Sequence, residues 1–134
     1  MAYFLLKTEP STFSLDDLER QKRTVWDGVR NALALKHLRT MKKGDSAFIY
    51  HTGDEKQVAG IAKVIGNPYP EPKMKDERYV VVEIAFSRKL KNPVPLSAIK
   101  ARKEFTNFPL VRLSRLSVMP VTKDEWEAIL AMSK

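Results

Sequence analysis

The stretch Arg78–Leu90, RYVVVEIAFSRKL, decides what kind of chain this is. Valine, isoleucine and phenylalanine crowd it, and such side chains fit a pleated sheet better than a helix. It reads as one long strand. Two shorter runs upstream, SAFIYHT (Ser46–Thr52) and VAGIAKVIG (Val58–Gly66), have the same character. AYFLLK at the start and LSVMPV (Leu116–Val121) complete the set. Pro120 has no N–H to give a ladder, so it confines the last run to a sheet edge or a strand end.

Helices interrupt these strands. In FSLDDL, Ser14 can cap a helix, Asp17 falls at its third position, and Phe13 can staple onto Leu18. Asn31 is placed to cap a second helix running through Met41, with Leu35 and Leu38 on its buried face and Gly44 in the turn that follows. PLSAIKA (Pro95–Ala101) reads as a short helix. Near the end, Thr122 and Glu125 make a capping box and Val121 can staple onto Trp126. Trp126, Ile129 and Leu130 then share one face, so Trp126 is a core residue. The loosest stretch, Gly66–Arg78, holds three prolines and mixed charge, the composition of an exposed loop. Together these elements predict a single α+β domain over residues 1–134, its twisted sheet partly closed into a small barrel.

Composition narrows the function. The chain has 134 residues and no cysteine, which excludes disulfides, thiolate metal sites and cysteine nucleophiles. No apolar run reaches the roughly 18 to 20 residues of a membrane span. The opening MAYFLLKTEP lacks the basic leader of a signal peptide, so a cytoplasmic protein is expected, or a nuclear one in a eukaryote. Two histidines, His37 and His51, match no zinc spacing. Five glycines write no phosphate loop or dinucleotide fingerprint. Asp16–Asp17 is explained by helix capping. No metal, no cofactor and no catalytic machinery are expected, and a binding module is the stronger reading.

The net charge of +8 is unevenly spread. Glu19–Lys43 carries eight lysines and arginines against two acids, and Phe86–Arg115 carries eight against one. The rest of the chain is net acidic. Two basic blocks of this kind are the electrostatic footprint of a polyanion, and nucleic acid is the partner expected; a solvated surface is the plain alternative.

Four blocks occur in order: YFLLKTEP (Tyr3–Pro10), WDGVRN (Trp26–Asn31), MKKGDSAFIYHT (Met41–Thr52) and RLSVMPVTKDEWEAI (Arg115–Ile129). Together they resemble the EVE domain family over nearly the whole chain. The resemblance implies a PUA-like fold, a mixed and partly closed β-barrel flanked by helices, similar to the YTH readers of methylated adenine. It implies a non-catalytic pocket for one modified, for example methylated, base flipped out of DNA or RNA.

Such a base needs a flat surface and a polar edge. Aromatic stacking supplies about 1–3 kcal/mol per base. Trp26, beside the Asp27–Gly28 turn, is expected at the pocket rim as that surface, unless it packs beneath the following helix. The resemblance adds polar groups. Thr8 stands where the family usually has serine, and Glu9 can accept from an exocyclic amine. Asn31 can present its amide or cap its helix. Tyr50 and Thr52 leave a strand on one face and His51 on the other; His51 is a base contact or a surface residue. Arg115 and Ser117 share a face, with Arg115 favoured as a base or phosphate contact. Arg30 is expected on phosphate or on Asp27. Arg88, Lys89, Lys91, Lys100, Arg102, Lys103 and Arg112 are expected along the nucleic-acid backbone.

The chain departs from the family at several points. Ala32, Leu33 and Leu35 follow WDGVRN where polar and aromatic residues are usual, Met119 replaces glutamine, and Tyr79 stands where tryptophan is expected. A more apolar pocket follows if these positions line it. Two other functions compete. One is an amidohydrolase of acylated nucleosides, similar to the ASCH type, using Lys7, Thr8 and Glu9. The other is RNA binding by shape without base flipping.

Overall fold

The structure, a computed structural model, describes all 134 residues. Strand β1 (Tyr3–Thr8) leads to helix α1 (Leu15–Gln21), β2 (Arg23–Trp26), α2 (Ala32–Arg39), β3 (Ser46–His51) and β4 (Gln57–Val64). A two-residue strand β5 (Tyr69–Pro70) precedes the long β6 (Val80–Pro95). Then come α3 (Leu96–Lys100), a 3-10 turn (Lys103–Phe105), α4 (Pro109–Arg112), β7 (Val118–Val121) and α5 (Lys123–Met132). This is the α+β arrangement expected, and no helix is long and apolar enough to cross a membrane.

The strands form one mixed sheet in the order β2-β6-β4-β3-β1-β7, with β5 paired to β6. Only β1 and β3 run parallel. Strands β2 and β7 are the two edges, and no ladder joins them. The expected closure is therefore only approximate: the sheet curls but keeps an open seam. The β4–β6 register shifts twice, after Val58 and after Ile61, and bulges of this sort bend a strand and increase its twist.

Strand β2 was hidden in the sequence as a turn beside Trp26. Four residues suffice because β6 offers a free edge: Arg23 pairs with Ala85 and Trp26 with Val82. Thr24 and Trp26 point inward while Arg23 and Val25 stay exposed. Helix α2 ends at Arg39, two residues before the expected Met41. There the Thr40 hydroxyl donates to the His37 carbonyl at 2.6 Å and Met41 N–H turns back to Leu38. Such i to i+3 bonding tightens and closes a helix.

The core behaves as its sequence promised. The Trp126 ring stacks on Phe48 with centroids 3.8 Å apart and on Tyr3 at 4.6 Å. The expected capping box of Thr122 with Glu125 is present, and the Ser14 cap forms a second one with Asp17. Gly60 is required for close approach, because a Cβ there would meet Leu15 Cδ2 at 2.5 Å and the Arg88 carbonyl at 2.7 Å. Helix α1 thus lies directly on the sheet.

His51 fastens that helix. Its Nε2 accepts from the buried Leu15 N–H at 3.0 Å, and its Nδ1 lies 2.9 Å from Glu55 Oε1. Leu15 opens α1, so its N–H has no partner within the helix. An accepting Nε2 puts the proton on Nδ1, where it donates to Glu55. Both ring nitrogens are engaged and the side chain is buried. His51 is therefore a helix anchor in this structure, neither a base contact nor a surface residue.

Two outcomes follow from these contacts. Replacing His51 with phenylalanine orphans the Leu15 N–H and is expected to cost about 1–3 kcal/mol in urea unfolding. A bond from Ser14 N–H holds the Asp17 carboxyl below its ordinary range. Its contribution to stability is then complete above the free carboxylate value of about 3.9 and is lost as pH falls through the lower folded value. Asp17→Asn should accordingly flatten the loss of stability seen on acidification, measured as the urea midpoint at each pH.

Candidate functional site

The open seam of the sheet contains a hollow of about 430 Å³, inside the range of roughly 300–1,000 Å³ common to small-ligand clefts. One wall is the end of β1, Lys7, Thr8 and Glu9, with Thr12 and Phe13 beyond it. The opposite wall is β2, Thr24 to Trp26, continued by Asp27, Gly28, Val29 and Arg30; Ser117, just before β7, closes the end. The β2 edge of the sheet thus faces the end of β1, and the residue leading into β7, across a cavity.

Trp26 lines this hollow but does not stand open at its lip. It is 9% exposed, with the Phe13 ring set edge-on at 6.2 Å and 79°. Both rings line the hollow, and the indole contributes a small aromatic surface to the wall. Gly28 makes the turn beyond it, at φ +77°, a backbone conformation that costs glycine little.

The polar groups differ in how free they are. The Thr8 hydroxyl donates to the Phe13 carbonyl at 2.6 Å, so only its lone pairs remain for a ligand. Glu9 Oε1 accepts from the Ser11 N–H at 3.2 Å and the Ser11 hydroxyl at 3.1 Å, and these bonds hold its carboxyl below the usual range. Thr52 supports Glu9 from outside the hollow, its hydroxyl 3.3 Å from Glu9 Oε2. Lys7 Nζ donates to the Ser114 carbonyl at 2.8 Å and lies 5.8 Å from the centre of the Tyr50 ring; burial lowers its pKa. Thr12 and Thr24 add hydroxyl groups to the walls.

Of the residues expected at a base pocket, the structure brings together Thr8, Glu9, Trp26 and Ser117. Tyr50 is buried behind Lys7, and burial raises its phenol pKa. Asn31 caps α2, its Oδ1 accepting from Ala34 N–H at 3.0 Å. Asn31 and Arg115 border a second, adjacent hollow. Sequence reading missed Phe13, Thr12 and Thr24. The inward alternation of Thr24 and Trp26 was the available signal, and it needed β2 to be seen as a strand.

Charge is arranged differently from the basic rim expected. The lining balances Lys7 and Arg30 against Glu9 and Asp27. Arg30 pairs with neither Asp27 nor solvent alone: it reaches Glu71 Oε2 at 2.8 Å and lies 5.0 Å from the centre of the Tyr79 ring. Glu71, in the proline-rich loop, is buried and pinned there. Lys89 is paired with Asp16 at 2.7 Å and Glu19 at 3.4 Å, and Arg102 with Glu104 at 3.3 Å. Arg88 and Lys91 border a separate hollow against α5. Lys100 and Lys103 are exposed on the helical segment after β6. Arg112 leans on Asn107 at 3.5 Å. The departures from the family do not enter the Trp26 hollow: Leu35 and Met119 are core residues, and Ala32 and Leu33 lie on the exposed start of α2.

Comparison with known proteins agrees with this architecture. A family model described as the EVE domain matches residues 2–132. Human thymocyte nuclear protein 1 is 30% identical, over 99% of this chain and 74% of its own length. A solution structure of a protein from Rhodopseudomonas palustris is 40% identical with a TM-score of 0.94, covering 99% of this chain and 93% of that one. The crystal structure of the human protein in complex with DNA containing 5-methylcytosine is 30% identical with a TM-score of 0.92, covering 100% of this chain and 98% of that one. An ASCH protein from Zymomonas mobilis, 14% identical at a TM-score of 0.63, shares the fold. The chain belongs to the EVE domain family.

Proposed function

We propose that this protein is a non-catalytic reader of a methylated base in DNA, and that the base enters the hollow between β1 and β2. The observation that supports this most is the pairing of an indole with hydroxyl, carboxylate and ammonium groups in one open cavity. It occurs in a chain whose human relative was crystallised with 5-methylcytosine DNA. A base inside a duplex cannot reach such a cavity, so it must leave the stack. Trp26 and Phe13 then offer an apolar wall for its ring and methyl group. Glu9 and the threonine hydroxyls offer acceptors and donors for its edge. The exposed cations Arg88, Lys91, Lys100, Lys103, Arg112 and Arg115 hold phosphates without specifying sequence.

The amidohydrolase reading has one point in its favour: Lys7, Thr8 and Glu9 do border the same hollow, and burial lowers the Lys7 pKa. Their hydrogen bonds disfavour it. The Thr8 hydroxyl proton is committed to a backbone carbonyl and Lys7 to another, so neither is aimed at its neighbour as a nucleophile and base require.

Three measurements test the reader. Titration with methylated oligonucleotides at low salt should quench Trp26 fluorescence while Trp126, sealed in the core, stays silent. Trp26→Ala should weaken binding of the methylated oligonucleotide on the order of 5- to 150-fold, the range for losing one stacked base. Unaltered affinity would refute the pocket, and release of acetate from acetylated cytidine by wild type but not Lys7→Ala would favour the enzyme. Affinity should also fall with salt, and each of Arg112→Ala and Arg115→Ala should reduce the slope of log affinity against log salt by about 1.

A further inference from the structure

The hollow beside Trp26 is nearly neutral, whereas free cations and exposed apolar side chains collect one step away. A second hollow, of about 370 Å³, is bordered by Asn31 and Leu33 at the start of α2, by Arg112 at the end of α4 and by Leu113, Ser114 and Arg115 after it. No residue lines both hollows, but residues joined in sequence or by a hydrogen bond link them. Arg30 borders the first and its neighbour Asn31 the second; Lys7, in the first, donates to the Ser114 carbonyl of the second. Besides the terminal Met1, the large apolar residues left exposed are Val25 at 41%, Leu33 at 41% and Leu113 at 46%. The first borders the Trp26 hollow, and the other two border its neighbour.

The second hollow has a consistent chemistry. No acid lines it, and neither arginine forms an ion pair, Arg112 touching only the Asn107 amide. Leu113 is presented by a tied turn: its N–H donates to the Pro109 carbonyl at 2.7 Å and its carbonyl accepts from Leu116 at 3.0 Å. Asn31 spends its Oδ1 on the Ala34 N–H, which leaves both Nδ2 protons for a partner outside the protein. Two aliphatic walls, two guanidiniums and an amide donor match the parts of a nucleotide: an apolar ring face, a phosphate, and an acceptor on a base edge.

We propose that this hollow holds the nucleotide next to the recognised base, packed between Leu33 and Leu113, its phosphate on Arg112 and Arg115 and its base edge read by Asn31 Nδ2. The proposal rests on the base-reading role of the Trp26 hollow and extends it: recognition then depends on flanking sequence as well as on methylation.

The test uses single-stranded oligodeoxynucleotides carrying one 5-methylcytosine, each neighbour being one of the four bases or an abasic residue. Wild type, Asn31→Ser, Leu113→Ser and Trp26→Ala are titrated by anisotropy, with circular dichroism to verify folding. Serine caps a helix as well as asparagine does, so Asn31→Ser removes the amide and keeps α2. Wild type should lose on the order of 5-fold when one neighbour is abasic, and should prefer certain bases at that position. Asn31→Ser should flatten that preference while keeping the ratio of methylated to plain binding. Leu113→Ser should reduce the abasic penalty. Trp26→Ala should instead abolish the methylated-to-plain ratio. If abasic neighbours on both sides change wild-type affinity by less than about 2-fold, the neighbouring subsite is wrong although the base pocket stands. The subsite is equally overturned if Asn31→Ser and Leu113→Ser leave the penalty and preference intact. A wild type that does not distinguish methylated from plain cytosine overturns both.

Discussion

The short ladder between β2 and β6 is the interaction on which the rest of this structure depends. Four residues pair there, and Trp26 is the last of them, set against Val82. Without those backbone bonds the indole would sit in a loop with no fixed direction. With them it is aimed at the seam between the sheet's edges, where β2 faces the end of β1 and the start of β7. An exposed sheet edge is usually a hazard because its N–H and C=O groups invite pairing with other chains. Here both edges are short, and the cavity lies beside one of them, β2.

Rigidity around that cavity comes from hydrogen bonds that look, residue by residue, like ordinary structural ones. Ser11 and Thr52 fix the Glu9 carboxylate, Phe13 O fixes the Thr8 hydroxyl, and Ser114 O fixes Lys7. His51 ties α1 to β3 and so sets where the loop carrying Phe13 ends. Arg30 and Glu71 lock the proline-rich loop against the segment that joins β2 to α2. Polar side chains immobilised in this way lose little further entropy when a ligand arrives, which is how preorganised sites gain affinity. Charge is separated from this machinery. The cavity lining is balanced, and the surplus cations are spread over the surface instead.

Much of the fold was legible because it rests on local rules. Capping by Ser14, Asn31 and Thr122 satisfies orphan N–H groups within three residues, so the sequence spells each helix start. The continuous run of β-branched residues in β6 and the period-3.6 apolar face of α5 are local signals that need no knowledge of distant partners. Strand β2 escaped because four residues beside a turn carry too little pattern, and its existence depends on an edge offered by residues some sixty positions later.

What the sequence determined by itself was most of the longer strands and helices, the burial of Trp126, the absence of cysteine chemistry, the positive charge and the family to which the chain belongs. Tertiary structure alone decided which polar side chains were free. His51, Tyr50 and Arg30 look equally available in a linear reading. Yet the fold buries Tyr50, and His51 and Arg30 answer to groups far along the chain, Leu15 and Glu71 respectively. The physical reason is that a buried donor or acceptor must be satisfied, and the partner that satisfies it is chosen by packing rather than by neighbourhood in sequence.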